Sequence, residues 1–402
     1  MEEASMAGAA EAEQRRALYF DYQATTPVDP GVVAVMLPFF SDQFGNPDSR
    51  HSYGTAVAFH VAAARQQVAQ LIGAPSPDEI VFTAGATESN AMAIRKVFAT
   101  VDRAHFVTTA IEHPSVLGPA AELARAGHEV SYLAVDRHGR VDPVQVESLI
   151  RPDTRLVSVM HANNEVGTIQ PLADISRITC AAGVLLHTDL TQTAGALEVD
   201  VQDLGVDLAS LSAHKFYGPK GIGALYVRRG CSLRKRHGTT ESALRPGTPN
   251  VPGIVGMGAA AELAVEQRVI DGIHAATLWT RVAEELLAAI PDAFVNGHPT
   301  QRIPGNLSVT FPGVEVDEVL RADPGLGLAM GSACTSGRTE PSHVLLALGL
   351  SRTLSRSTLR IGFGRATEWN DCRDCVDRLV PLLMRSHSRS RLGQKTSTGN
   401  AR

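Results

Sequence analysis

Residues 208–229, Leu-Ala-Ser-Leu-Ser-Ala-His-Lys-Phe-Tyr-Gly-Pro-Lys-Gly-Ile-Gly-Ala-Leu-Tyr-Val-Arg-Arg, hold two short apolar runs joined by a segment rich in glycine and proline. Runs of this length between such breakers read as β-strands. Working backwards along the chain, five more appear: EIVFT (79–83), HFVTTA (105–110), EVSYLAV (129–135), TRLVSVM (154–160) and VLLHTDL (184–190). Ala/Leu-rich stretches of helical character separate most of them. That alternation predicts an α/β layer architecture around a mostly parallel sheet. The last three runs lie close together, so local pairing without a crossover helix is expected there. In such sheets the ligand crevice lies beyond the carboxyl ends of the strands. His113, Asn164, Asp189 and Lys215 each follow a run.

Downstream, residues 253–290 predict a long helical connection. The remaining third returns to a mixed pattern, with NLSVTF from 306, LGLAMGSACTSG from 326 and LRIGFG from 359. The expected organisation is a disordered tail over 1–16 and a large domain over 17–262, whose arm 17–30 packs on the small domain. A smaller C-terminal α/β domain then spans 263–385, and a disordered basic tail spans 386–402.

The chain has 402 residues, 44% of them hydrophobic and 20% charged, enough to bury a large core in more than one domain. A net charge of -5 supplies no basic field for nucleic acid, and no apolar run approaches the length of a membrane span. Neither partner is expected. Glu2, Glu3, Glu11 and Glu13 fit neither a secretory signal nor an acid-poor transit peptide, so the cytoplasm is the expected compartment. The cysteines at 180, 231, 334, 372 and 375 are too few and too irregular for a disulfide framework. Cys372-Arg-Asp-Cys375 lacks the second pair a zinc site needs. With Val376, Leu379 and Leu383, Cys372 forms the apolar stripe of a helix starting near Thr367, so the pair reads as core and no metal is expected.

Lys215 ends an apolar run, where partial burial lowers an amine's pKa and suits it to Schiff-base chemistry. Taken alone, it fits a snorkelling strand-end lysine better. Asp189 ends another run, where a carboxylate can pair with a protonated pyridine nitrogen or cap a helix. The combination matters more than either residue, because nearby strands bring both to one crevice. Thr83-Ala-Gly-Ala-Thr-Glu-Ser89 follows a strand and opens a helix, as a phosphate-binding turn does and as an ordinary capped glycine turn also does. Gly331-Ser-Ala-Cys-Thr-Ser-Gly337 places a cysteine among small residues, with little at hand to bury its thiol.

Together these segments resemble the cysteine desulfurases of the NifS and IscS type, in the class V aminotransferase branch of fold-type I pyridoxal-phosphate (PLP) enzymes. The resemblance runs from about Leu18 to Leu383. It rests on FDYQATTPVDP (20–30), FGNPDSRHSYG (44–54), VFTAGATESN (81–90), HANNEVGTIQP (161–171), SAHKFYGPKGIGALYVRR (212–229) and GSACTSGRTEPSHVLLALGL (331–350). It implies a large domain with a mostly parallel seven-stranded sheet, a smaller C-terminal α/β domain, and pyridoxal 5'-phosphate as cofactor.

By the resemblance, Lys215 holds the cofactor, Asp189 partners its ring nitrogen, His113 stacks on the ring and Gln192 donates to its phenolic oxygen. Ala86, Thr87, Ser212 and His214 match phosphate-binding positions. Thr248 matches a threonine that reaches the phosphate across a homodimer interface. Asn164 and Arg360 match residues that hold the substrate carboxylate, and Cys334 matches the sulfur acceptor. The implied reaction converts L-cysteine to L-alanine, with sulfur carried as a persulfide on Cys334 towards an acceptor protein or thiol. The long segment through Glu340-Pro-Ser-His343 resembles the subgroup with an extended loop. Selenocysteine lyase or another β-lyase on the same scaffold is the alternative, and an idle binding relative the more distant one.

The sequence departs from the family pattern in places. His237 to Thr248 lacks the glycines usual before Arg-x-Gly-Thr, Leu190 replaces a smaller residue, and Gly362-Phe363 alters the surroundings of Arg360. The basic C-terminal segment does not resemble the one with which housekeeping members engage an iron-sulfur scaffold.

Overall fold

A computed structural model of the protein describes residues 16–231, 233, 241–331 and 340–398. The expected tail over 1–16 therefore lies outside the described residues except for Arg16. All seven upstream runs form strands of one sheet: β2 (Ile80–Thr83), β3 (His105–Thr109), β4 (Glu129–Leu133), β5 (Thr154–Ser158), β6 (Leu185–Asp189), β7 (Leu208–Ser212) and β8 (Gly223–Val227). Their order is β2-β8-β7-β6-β5-β3-β4. From β4 to β7 every pairing is parallel, while β8 runs antiparallel to both β7 and β2. The sheet is the mostly parallel seven-stranded one expected.

Helices on both faces explain why the strands read as continuous apolar runs rather than alternating ones. β3, β7 and β8 are buried at every position, whereas edge strand β4 is partly exposed. The expected local pairing is the β7–β8 hairpin, in register from Leu208 with Val227 to Ser212 with Gly223. Gly223 is required there for space: a Cβ would lie 2.6 Å from Gly85 Cα and would collide with the Leu211 carbonyl.

One helix, Val251–Ala289, links two cores. Its first half, including Ile254, Met257 and Ala261, packs with the large sheet. Its second half, including Leu278, Val282 and Leu286, packs with a four-stranded antiparallel sheet. That sheet comprises β9 (Phe294–Val295), β10 (Asn306–Thr310), β12 (Ala329–Met330) and β13 (Thr358–Gly362). The amino-terminal arm joins this second body: β1 (Leu18–Tyr19) pairs in parallel with β11 (Leu326–Gly327), and Leu18 and Phe20 enter its core.

Cys372 and Cys375 are buried in the same core on the helix Trp369–Thr398. Burial pushes both thiols up, that of Cys372 to about 12. This helix corrects the expectation of a disordered segment from Ser386, since it continues to Thr398. Once nucleated, a helix extends at low cost. Here the extension is anchored where Ser386 Oγ accepts from the Glu315 backbone N–H at 3.2 Å and His387 Nδ1 donates to the Pro312 carbonyl at 3.0 Å. Among the described residues no helix is long and apolar enough to cross a membrane.

Candidate active site

β6 ends at Asp189, and β7 ends at Ser212 with a single helical turn, Ala213–Lys215, beyond it. The two strands are parallel neighbours in register at Asp189 and Ser210, so both ends open on the same side of the sheet. A cavity of about 1150 Å³ lies there. Its wall includes Lys215, Asp189, His113, Gln192, Asn164 and Arg360, together with the Ala86–Thr87 turn, Ser212 and His214. Thus the fold gathers residues separated by up to 337 positions, Gln23 and Arg360 among them.

Asp189 is buried, and both its oxygens accept: Oδ1 from the Thr191 N–H at 2.8 Å and Oδ2 from Asn90 Nδ2 at 2.7 Å. Lys215 Nζ donates to the Gln23 carbonyl of the amino-terminal arm, which Gln192 Nε2 also contacts at 3.1 Å. The arm therefore sets the position of the lysine head. His113 caps the helix Pro114–Arg125, its Nδ1 accepting from the Ser115 N–H at 3.1 Å. Burial lowers its pKa below the usual histidine range; Asp189 opposes that shift, and Lys215 and His343 add to it.

The helix Ala86–Phe98 begins at the cavity with no side chain capping its first turn, which leaves backbone N–H groups for an anion. Ser212 and His214 stand beside this turn. His214 Nδ1 pairs with Thr25 Oγ1 at 3.1 Å, and burial, reinforced by Lys215 and Lys220, lowers its pKa to about 4. Beside the turn, Glu88 forms an ion pair with Arg245 at 2.7 Å.

Arg360 projects from β13 and is almost fully buried. It pairs with Asp21 at 2.6 Å and donates to the Asn164 carbonyl at 3.1 Å, while its Nε has no hydrogen-bond partner among the described residues. A buried guanidinium with unused donor capacity at a cavity wall can accept a carboxylate.

One expected residue among those described is not brought into this wall. Thr248 is exposed, just beyond the rim residues Leu244, Arg245 and Pro246. Cys334 lies in 332–339, outside the described residues, as do 237–240 of the segment before Thr248. The two flanks of 332–339 converge on one buried acid: Ser342 Oγ donates to Glu165 Oε2 at 2.5 Å, and a Cβ on Gly331 would collide with that same oxygen. Burial pushes Glu165 up to about 7, against the Ser342 hydrogen bond and the Arg360 charge.

Sequence reasoning assigned no role to Asp21, Gln23, Asn90, Glu112 or Glu165. Asp21 and Gln23 lie in FDYQATTPVDP and Asn90 in VFTAGATESN, both recognised as segments without these side chains being singled out. Asn90 stands one helical turn beyond Ala86 and Thr87, a spacing that puts it on their face. That spacing was the available signal.

The family profile described as aminotransferase class-V matches residues 18–375, and the chain belongs to that family. Within it, cysteine desulfurases are among its curated relatives. The IscS cysteine desulfurase of Anaeromyxobacter sp. (strain Fw109-5) is 46% identical over 91% of each chain. The human cysteine desulfurase is 42% identical over 96% of this chain and 85% of its own. Among solved structures, a NifS-like protein superposes with a TM-score of 0.84 at 36% identity, covering 92% of this chain and 99% of its own. A structure of SspA in complex with cysteine superposes with a TM-score of 0.74 at 36% identity, over 86% of this chain and 99% of that one.

Proposed function

We propose that this protein is a PLP-dependent cysteine desulfurase, taking sulfur from L-cysteine onto Cys334 and releasing L-alanine. The observation that carries the reading is the convergence of Lys215, Asp189 and an uncapped helix N-terminus on one cavity. These supply what PLP requires: an amine, an anionic partner for the ring nitrogen, and backbone donors for a phosphate. The cavity volume, and an Arg360 Nε without a partner among the described residues, leave room for a substrate carboxylate as well. When bound, PLP supplies an electron sink for the negative charge left at the substrate α-carbon.

The side chains then divide the work. Lys215 would hold the cofactor and, once released, take the α-proton of cysteine. Asp189 would stay ionised opposite the ring nitrogen, with His113 against the ring and Gln192 at its phenolic oxygen. Ala86, Thr87, Ser212 and His214 would surround the phosphate. Arg360 and Asn164 would bind the substrate carboxylate. The Cys334 thiolate would attack the substrate sulfur; the carbon–sulfur bond breaks, its electron pair stays with the substrate carbon, and protonation there yields alanine. The new sulfur–sulfur bond leaves a persulfide for an acceptor thiol.

A homodimer completes the proposal. Thr248 would serve the partner's phosphate site. Supporting this, Phe40, Phe44, Tyr53 and Phe59 are each more than half exposed, an apolar surface of the kind a second copy covers.

Intact-mass measurement after brief exposure to cysteine tests the reaction. Wild type should gain one sulfur, Cys334→Ala none, and Lys215→Ala should neither gain sulfur nor make alanine. Full sulfur release from cysteine by Cys334→Ala would refute the persulfide route, and parallel assay on selenocysteine would identify a lyase.

A further inference from the structure

Asn90 is fully buried behind the cavity and has no part in the roles above. Its Nδ2 donates both hydrogens, to Asp189 Oδ2 at 2.7 Å and to Ser115 Oγ at 2.8 Å. The opposite amide orientation would set its carbonyl oxygen against a carboxylate, so charge fixes the assignment. Ser115 Oγ, having accepted, can direct its own hydrogen to His113 Nδ1 at 2.8 Å. The Ser115 backbone N–H donates to that same nitrogen. Nδ1 is thus an acceptor, and the neutral ring carries its proton on Nε2.

The side chain is not fully satisfied where it stands. Its Oδ1 finds no hydrogen-bond partner among the described residues. A leucine, with the same branching and number of side-chain heavy atoms, would bury no unsatisfied carbonyl but would take the donor from Asp189 Oδ2 and Ser115 Oγ.

We propose that Asn90 is a positioning residue for the reaction. It couples Asp189 to His113, holding the first as a carboxylate with both oxygens occupied by donors and the second as the imidazole with Nδ1 unprotonated. The inference rests on the functional reading above, since it concerns the two side chains assigned to the cofactor ring. Other ionisable groups also act on the pair: Lys215 and His343 on His113, and Glu112 and His187 beside Asp189. None of them donates to the oxygen that Asn90 occupies.

The test compares wild type with Asn90→Leu, which keeps the branching and heavy-atom count and drops both donors, and with Ser115→Ala, which removes only the hydroxyl contact to His113. Circular dichroism checks folding, and nitrogen NMR of the histidine rings in cofactor-free protein reads the tautomer. Dialysis of PLP-loaded protein gives cofactor retention, pH titration of its visible band gives the midpoint, and alanine production gives kcat and KM. Asn90→Leu should release PLP about tenfold faster and move the midpoint by about one pH unit, the loss expected for one charge-assisted hydrogen bond. Ser115→Ala leaves the Ser115 backbone N–H on Nδ1, so it should keep both retention within about twofold and the Nε2-protonated tautomer, while loss of the hydroxyl contact lowers kcat about threefold at unchanged KM.

If Asn90→Leu matches wild type in retention, midpoint and kcat, the proposal is overturned. Should Asn90→Leu fail to fold, Asn90→Val, which also lacks a side-chain donor, carries the same expectations and the same refutation. A wild type that binds no PLP overturns the functional reading and this inference with it. A wild type that turns over beside an unperturbed Asn90 variant overturns this inference alone.

Discussion

Replacing Glu112 by glutamine should flatten the pH dependence of stability. Glu112 is fully buried beside His113; Oε1 accepts from the Met160 N–H at 2.8 Å and from Thr109 Oγ1 at 3.0 Å, and Oε2 has no partner among the described residues. Burial pushes its carboxyl up to about 8, opposed by Met160, reinforced by Asp189 and opposed by Thr109. Unfolding returns it to its ordinary value of 4.5. Between those values the folded protein binds a proton that the unfolded chain has released, so stability falls as pH rises through the window. At 1.36 kcal/mol per pKa unit, less the part not yet lost at pH 8 where the folded group is half ionised, the difference between pH 5 and pH 8 is about 3 to 4 kcal/mol.

The substituted glutamine cannot titrate. Its amide brings a constant cost at the unpartnered position, which shifts the whole curve without changing its slope. Denaturant unfolding of both proteins at pH 5 and pH 8 isolates the effect, because every other titrating group is common to the pair. Wild type should lose about 3 to 4 kcal/mol more than Glu112→Gln over that interval. Parallel losses in the two proteins would refute a neutral buried acid at this position.

Arg360→Lys keeps the charge but loses the guanidinium fork that spans Asp21 and the Asn164 carbonyl. KM for cysteine should rise about tenfold while PLP retention stays unchanged; an unaltered KM would mean that the substrate carboxylate is held elsewhere. For the proposed dimer, light scattering of the purified protein should give twice the chain mass. Thr248→Ala should weaken PLP retention there, and a monomer that retains PLP normally would exclude a partner's threonine from the site.

The large sheet was legible because its strands, buried on both faces, appear as uninterrupted apolar runs between glycine and proline. The same reasoning placed Asp189 and Lys215 in one crevice, since parallel neighbours end on one side of a sheet. It failed beyond Ser386, where the chain shows no apolar period. The helix continues there because it is already formed and because Ser386 and His387 bond to the turn at Pro312–Glu315.

Strand positions, the long connecting helix and the identities of Lys215, Asp189, His113 and Arg360 were thus present in local pattern and recognisable segments. The links among them were not. Asn90 between Asp189 and Ser115, Asp21 on Arg360, and Glu165 against Ser342 join residues between 25 and 339 positions apart. Side-chain periodicity reports which face of its own element a residue occupies. Which partner it meets depends on strand order, register and the crossing of two separate cores, and those are decided only when the whole chain packs.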